Sequence, residues 1–152
     1  MNQRQTITFS GDAPTRAAIE SSLAASHLLV FEDCDLSNAD LSRLDLQDAV
    51  FRNCQLVETS LYAAKLGRTR WTRCRAGHAD FESADLVDAL FESCDLNNSS
   101  WRRARLASCT FHSCKLTGAR FEETSHLALT FEDTLLVGAD LRRMSFRKAL
   151  LK

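Results

Sequence analysis

Residues 79–91 read Ala79-Asp80-Phe81-Glu82-Ser83-Ala84-Asp85-Leu86-Val87-Asp88-Ala89-Leu90-Phe91. A large apolar residue recurs at Phe81, Leu86 and Phe91, five apart each time. A small residue stands two places before each: Ala79, Ala84 and Ala89. Followed outward in both directions, the five-residue step holds from Phe31 to Leu151 without a slip. It passes through 25 positions, of which 23 are Leu, Phe or Trp; the other two are Ala76 and His126. The position two earlier is Ala, Cys, Ser or Thr everywhere except at Leu29, Leu44, Leu129 and Met144. No loop interrupts the frame.

A period of five matches neither the 3.6-residue helix nor the two-residue strand. It matches a coil with one side per five residues, the large residue pointing inward and the small one filling the corner beside it. Four sides close a square, so one coil takes about 20 residues, and at a strand-like rise of roughly 4.8 Å per coil the rod is roughly 30 Å long. The longer period is visible in the residues. Phe31, Phe51, Trp71, Phe91, Phe111, Phe131 and Leu151 fall on one side, six of the seven aromatic. Leu36, Leu56, Ala76, Leu96, Leu116 and Leu136 fall on the next. Phe81, Trp101 and Phe121 share the third with three leucines. His126 and Phe146 share the fourth with Leu46, Leu66, Leu86 and Leu106. Ala76 is expected to make room for the Trp71 ring.

These residues resemble the A-(D/N)-L-X-X repeat of the pentapeptide-repeat family, seen here as Ala39-Asp40-Leu41, Ala79-Asp80-Phe81, Ala84-Asp85-Leu86 and Ala139-Asp140-Leu141. The resemblance covers residues 29–152. It implies an all-β, right-handed quadrilateral parallel β-helix of about six coils, and a homodimer. Residues 1–28 precede the repeats as an N-terminal capping segment. Thr6 to Ser10 read as a short strand. Residues 13–25 read as a helix with Asp12 as N-cap and Pro14 in the first turn. At the other end no cap is evident, so either the last stretch folds over as a helix or two chains pack end to end.

Only five glycines and one proline occur among 152 residues, so the many turns of such a coil must be made by other residues. All six cysteines sit at the small inward position. Cys34, Cys54, Cys74, Cys94 and Cys114 recur every twenty residues as one ladder. As small apolar fillers in a reducing cytoplasm they are expected to stay thiols. No clustered ligand spacing of the C-x₂-C kind points to a metal. His126 is expected to be a buried neutral histidine bonded to backbone, or the mark of a local bulge.

The formal net charge of −1 argues against a basic nucleic-acid binder, so no direct nucleic-acid contact is expected. No apolar run is long enough for a membrane span, and the first thirty residues lack the pattern of a secretory leader. Residues 1–60 carry four basic and nine acidic side chains, net −5; residues 61–120 carry ten and six, net +4. This marks an acidic patch at Asp35, Asp40, Asp45 and Asp48 and a basic belt at Arg68, Arg70, Arg73 and Arg75. Outward columns alternate in sign from coil to coil, as in Asp45, Lys65, Asp85, Arg105, and are expected to pair along the rod. The flattest apolar surface is the outward face of the aromatic side: Val30, Val50, Leu90, Thr110, Thr130 and Leu150.

No phosphate loop, zinc motif or nucleophile elbow occurs, and a filled convex rod offers no cleft, so no catalytic residue, metal or cofactor is assigned. The expected function is a non-catalytic, cytoplasmic protein-interaction or scaffold module whose partner is a protein. The family resemblance also implies two alternatives. One is a DNA-mimicking gyrase-binding protein that protects against quinolone-type drugs; the other is an accessory or effector of a secretion system.

Overall fold

The computed structural model describes residues 4–25, 27–145, 150 and 151. Its regular elements are β1 (Thr6–Ser10), α1 (Arg16–Ala24), β2 (Leu28–Glu32), β3 (Val50–Arg52), β4 (Arg70–Thr72), β5 (Leu90–Glu92), β6 (Thr110–His112), β7 (Thr130–Glu132) and β8 (Leu150–Leu151). The eight strands form one parallel sheet in chain order. The chain is a parallel β-solenoid of about six turns with one short helix near its N-terminus.

The register is the one the twenty-residue period demands. Phe51 lies opposite Trp71, Trp71 opposite Phe91 and Phe91 opposite Phe111. The other three walls pair through single bridges with the same offset, such as Asp35 with Gln55, Ser60 with Asp80 and Asp85 with Arg105. Following the chain, the aromatic wall is wall A, and those centred on Leu36, Leu41 and Leu46 are walls B, C and D.

The core consists of the inward residues of all four walls. Phe31, Phe51, Trp71, Phe91, Phe111 and Phe131 are buried. Their rings stack along the axis at centroid spacings of 3.9 to 5.5 Å. On the opposite wall Phe81, Trp101 and Phe121 form a second stack. The two stacks meet edge to face, with Phe91 at 5.4 Å and 87° to Trp101. Both arrangements are those the ring quadrupole favours. Trp71 and Trp101 each carry one polar atom into this core. Their indole N–H groups donate to Thr69 Oγ1 at 2.8 Å and Ser99 Oγ at 2.7 Å.

The scarcity of glycine is explained by the corners. Twenty-one non-glycine residues adopt positive φ, each two places after an inward residue. None is β-branched, and none is Phe, Tyr or Trp. The left-handed region costs about 1–2 kcal/mol for most side chains. Here those from Asp33 to Ser113 are each held by a hydrogen bond to the next coil, as Asn38 N to Val57 O at 2.9 Å and Ala63 N to Glu82 O at 2.9 Å. The residue before the inward position helps form the turn. Asp35, Asp40, Asp80 and Asp95 each accept the N–H two residues on, at 2.9 to 3.1 Å. The acidic member of the repeat is thus a turn-forming residue, as short side chains that bond nearby backbone commonly are.

The cysteine ladder has a comparable role. Cys54 Sγ lies 3.3 Å from Phe31 O and 3.3 Å from Arg52 O, so one thiol meets the carbonyls of two coils. Cys74, Cys94 and Cys114 repeat the contact. In the last described coil Thr134 Oγ1 takes the same place, donating to Phe111 O at 3.1 Å or Glu132 O at 3.0 Å. All six cysteines are free and buried.

The N-terminal segment differs from the sequence expectation in where its helix begins. The helix starts at Arg16 with Thr15 as N-cap, its hydroxyl accepting from Ala18 N at 3.1 Å. Asp12 does not cap it; the Asp12 carbonyl instead accepts from Asp35 N at 2.9 Å. Pro14 disfavours helical backbone at Ala13 before it, so the helix does not begin at 13. The expected short strand forms as β1 and is a rung of the sheet. Phe9 pairs with Phe31 and stacks on it at 5.3 Å. Helix α1 then lays Ile19, fully buried, and Leu23 against the core, four residues apart on one helix face. At the far end, the question of a folded-over helix falls mostly on residues outside those described; Leu150 and Leu151 continue the sheet as β8.

Candidate functional site

The outward face of wall A is built by the strands themselves. Side chains alternate across a strand, so each buried aromatic is preceded by a residue that faces out. In register these are Val30, Val50, Arg70, Leu90, Thr110 and Thr130, with Leu150 continuing opposite Thr130. All but Arg70 of those from Val30 to Thr130 are half-buried. Arg70, a member of the basic belt in sequence, interrupts the apolar column. Its place was legible in the twenty-residue step from Val50 to Arg70 to Leu90. Around it lies a shallow concavity of about 510 Å³, lined by Val50, Leu90 and Thr110 along the column and by Asp48, Arg68 and Asp88 beside it.

The acidic patch is not a patch. Asp35, Asp40 and Asp45 sit on three successive walls, bridged to Gln55, Ser60 and Lys65 respectively. A five-residue step is a quarter-turn, so residues close in sequence ring the coil instead of sharing a face. Hydrogen bonds from Ser37 hold the Asp35 carboxyl below its ordinary value, and those from Ser42 do the same for Asp40. Asp48 is held low by Arg68, whose guanidinium meets it at 2.7 Å.

The basic belt divides for the same reason. Arg68 is paired with Asp48, Arg70 belongs to wall A, and Arg73 and Arg75 lie past the corner towards wall B. There they line a second concavity of about 560 Å³ together with Lys115, Ser93, Ser113 and Asp95.

Of the alternating columns, Arg105 pairs with Asp85 at 2.8 Å and Arg102 approaches Glu122 at 3.9 Å. Lys65 forms no ion pair among the described residues. Arg142 turns back to Asp140 at 2.7 Å, which holds the Asp140 carboxyl at about 2. Pairs not anticipated also join coils: Arg52 with Glu32 at 2.7 Å and Arg103 with Glu123 at 2.9 Å.

His126 is half-buried and bonded to backbone. Its Nδ1 lies 3.1 Å from Thr124 O, and its Nε2 lies 2.9 Å from Ser145 N. One neutral tautomer satisfies both, with Nδ1–H donating and Nε2 accepting. A group of metal-ligating side-chain types that the sequence reading missed is formed by His112, Glu132 and Asp133, with ligand atoms within 4.8 Å of one another. His112 and Glu132 are register partners. The twenty-residue spacing was the signal that could have found them.

A family model described as pentapeptide repeat region matches residues 27–101 and 84–152. No curated protein matches the chain. Among solved structures it is similar to HetL, a pentapeptide repeat protein involved in heterocyst differentiation regulation in Nostoc sp. strain PCC 7120, at 17% identity over 96% of this chain and 89% of that one, with a TM-score of 0.38. It is also similar to full-length QnrB1, a plasmid-mediated fluoroquinolone resistance protein, at 14% identity over 99% of this chain and 93% of that one, with a TM-score of 0.38. At these identities the likeness concerns the fold alone. No catalytic family is indicated.

Proposed function

Because this chain belongs to the pentapeptide-repeat family, we propose that it is a non-catalytic protein-interaction module whose working surface is the outward face of wall A. The observation that carries this reading is the combination of a continuous parallel sheet with the concavity around Val50, Arg70 and Leu90. A rigid flat sheet pre-organises its side chains, so a partner that docks there loses little entropy in ordering this side of the contact. The mixed lining suits a protein surface with apolar residues flanking an acidic one that meets Arg70. A second copy of this chain is one such partner.

The charge distribution favours this surface over imitation of duplex DNA. A phosphate mimic needs acidic side chains in rows on one face. Here the first coil's carboxylates ring the rod, and several later ones are neutralised across coils. The buried thiols suit a reducing compartment, and we place the protein in the cytoplasm.

The test is a photo-crosslinking residue at position 90, compared with one at Val57, which lies outside wall A. Covalent adducts formed in the native cell from position 90 and not from position 57 support wall A as the docking surface. Equal yields from both positions overturn it. The molecular mass of wild type and of a Val50→Glu, Leu90→Glu variant shows whether the partner is a second copy. A dimer lost in the variant supports this; an unchanged dimer removes self-association through this wall.

A further inference from the structure

The concavity at the corner of walls A and B carries a different chemistry. Arg73 and Arg75 flank the buried Cys74 on one coil, and Lys115 stands two coils further along. On the coil between them the lining residues are Ser93, Cys94 and Asp95, and Ser113 follows on the Lys115 coil. Elsewhere on the rod, an arginine one coil from an acid commonly pairs with it, as Arg52, Arg68, Arg103 and Arg105 do. Here Asp95 bridges backbone to both Arg75 and Lys115, yet its carboxylate bonds the Asn97 N–H at 3.1 Å and takes neither cation as an ion-pair partner. Arg73, Arg75 and Lys115 are exposed and form no ion pair among the described residues. Three unpaired cations and one carboxylate leave the groove with a formal surplus of two positive charges.

We propose that this groove binds a small anion carrying two linked phosphate groups. Three features select that class. The cations are divided between coils two apart, a backbone separation of roughly 10 Å at strand spacing, so linked anionic groups bridge them better than a single one. Guanidinium forks and a lysine ammonium are the usual protein ligands of phosphate oxygens, and the Ser93 and Ser113 hydroxyls add neutral donors. The volume of about 560 Å³ lies in the range of small-molecule sites. No aromatic side chain lines the groove, so a nucleobase would find nothing to stack on. Recognition is then of the phosphates, whatever carries them.

Isothermal titration of the full chain at about 0.15 M salt, where surface attraction is screened beyond roughly 8 Å, tests the site with pyrophosphate, orthophosphate and ADP. The expected result is one pyrophosphate per chain, bound at least about tenfold tighter than orthophosphate and within about twofold of ADP. Arg75→Gln with Lys115→Gln should weaken pyrophosphate at least about tenfold. Lys65→Gln with Arg120→Gln removes the same charge from walls D and C and should change it less than about twofold. All four side chains are exposed, so both variants should fold and melt like wild type. Absence of pyrophosphate binding up to millimolar concentration overturns the proposal. Equal losses in the two variants, which would mean bulk charge attraction, overturn it too. ADP binding about tenfold tighter than pyrophosphate overturns recognition of phosphate alone.

Discussion

The indole of Trp71 lies over the ring of Phe51 with centroids 3.9 Å apart and planes tilted by 6°. The two residues are twenty apart in sequence and face each other in register. Their contact is one step of the stack that runs from Phe9 to Phe131. Phe51→Leu keeps an apolar side chain but removes one ring from the middle of it. The expected loss is about 1–3 kcal/mol, from ring–ring attraction plus imperfect refilling. Urea denaturation monitored by Trp71 and Trp101 fluorescence measures it. A loss below about 0.5 kcal/mol would show that the rings serve only as volume.

The two indole N–H groups make sharper tests. Each is fully buried with one hydroxyl partner, Thr69 for Trp71 and Ser99 for Trp101. Thr69→Val and Ser99→Ala leave those donors without a partner, at an expected cost of about 1–3 kcal/mol each. The control is Thr110→Val, a half-buried outward site on wall A, expected to stay within about 0.5 kcal/mol of wild type. Chemical denaturation of the three variants side by side decides it.

Much of this architecture was legible in the chain, and the reason is its one-dimensional order. Phe31 to Leu151 step by five with nothing inserted, so wall, coil and register follow from counting. The corners were legible only as a deficit of glycine; that Ala63 or Arg73 would take a left-handed turn depends on the hydrogen bond each makes to the next coil, which no local pattern shows. Phe9 was missed as a rung because it stands 22 residues before Phe31, where α1 displaces the period. The acidic and basic clusters failed for a geometric reason. Asp35 and Asp40 are neighbours in sequence and occupy different walls, whereas Arg75 and Lys115 are forty apart and line one groove.

Ala63 has φ of 54° and a hydrogen bond that holds it there. Glycine adopts that region without steric cost, so Ala63→Gly should be neutral or stabilising by up to about 1 kcal/mol, the reverse of its usual effect in regular structure. Ala63→Val places a β-branched side chain in the same conformation and should cost about 2 kcal/mol or more. Thermal melts of the pair check the sign of each change.

Stability should be level across neutral pH and fall on both sides. Asp48 and Asp140 have carboxyls depressed by Arg68 and Arg142, so their contribution is present above the unfolded value of roughly 3.9 and is lost as pH falls towards 2. Burial pushes the Cys34 and Cys109 thiols up. The thiols of Cys114 and Cys74, together with burial, push Cys94 up. A raised thiol contributes fully below the unfolded value of roughly 8.5 and loses that contribution as pH rises above it. Melting temperature measured from pH 2 to 10 should show both declines. The native chain should also resist a thiol reagent that labels all six cysteines after denaturation. Rapid labelling of the native chain would contradict the buried ladder.

The central claim is that residues twenty apart stand over one another, and removal of chain tests it directly. Deletion of residues 91–110 takes out one whole coil, joins Leu90 to Phe111 and keeps every wall in its column. Deletion of residues 91–105 keeps the five-residue frame but rotates the later coils by one wall, setting Leu106 over Trp71 and Phe111 over Ala76. Urea denaturation followed by circular dichroism should show the first variant folded and cooperative, and the second far less stable or unfolded although it retains more of the chain. Equal stability of the two would contradict the account.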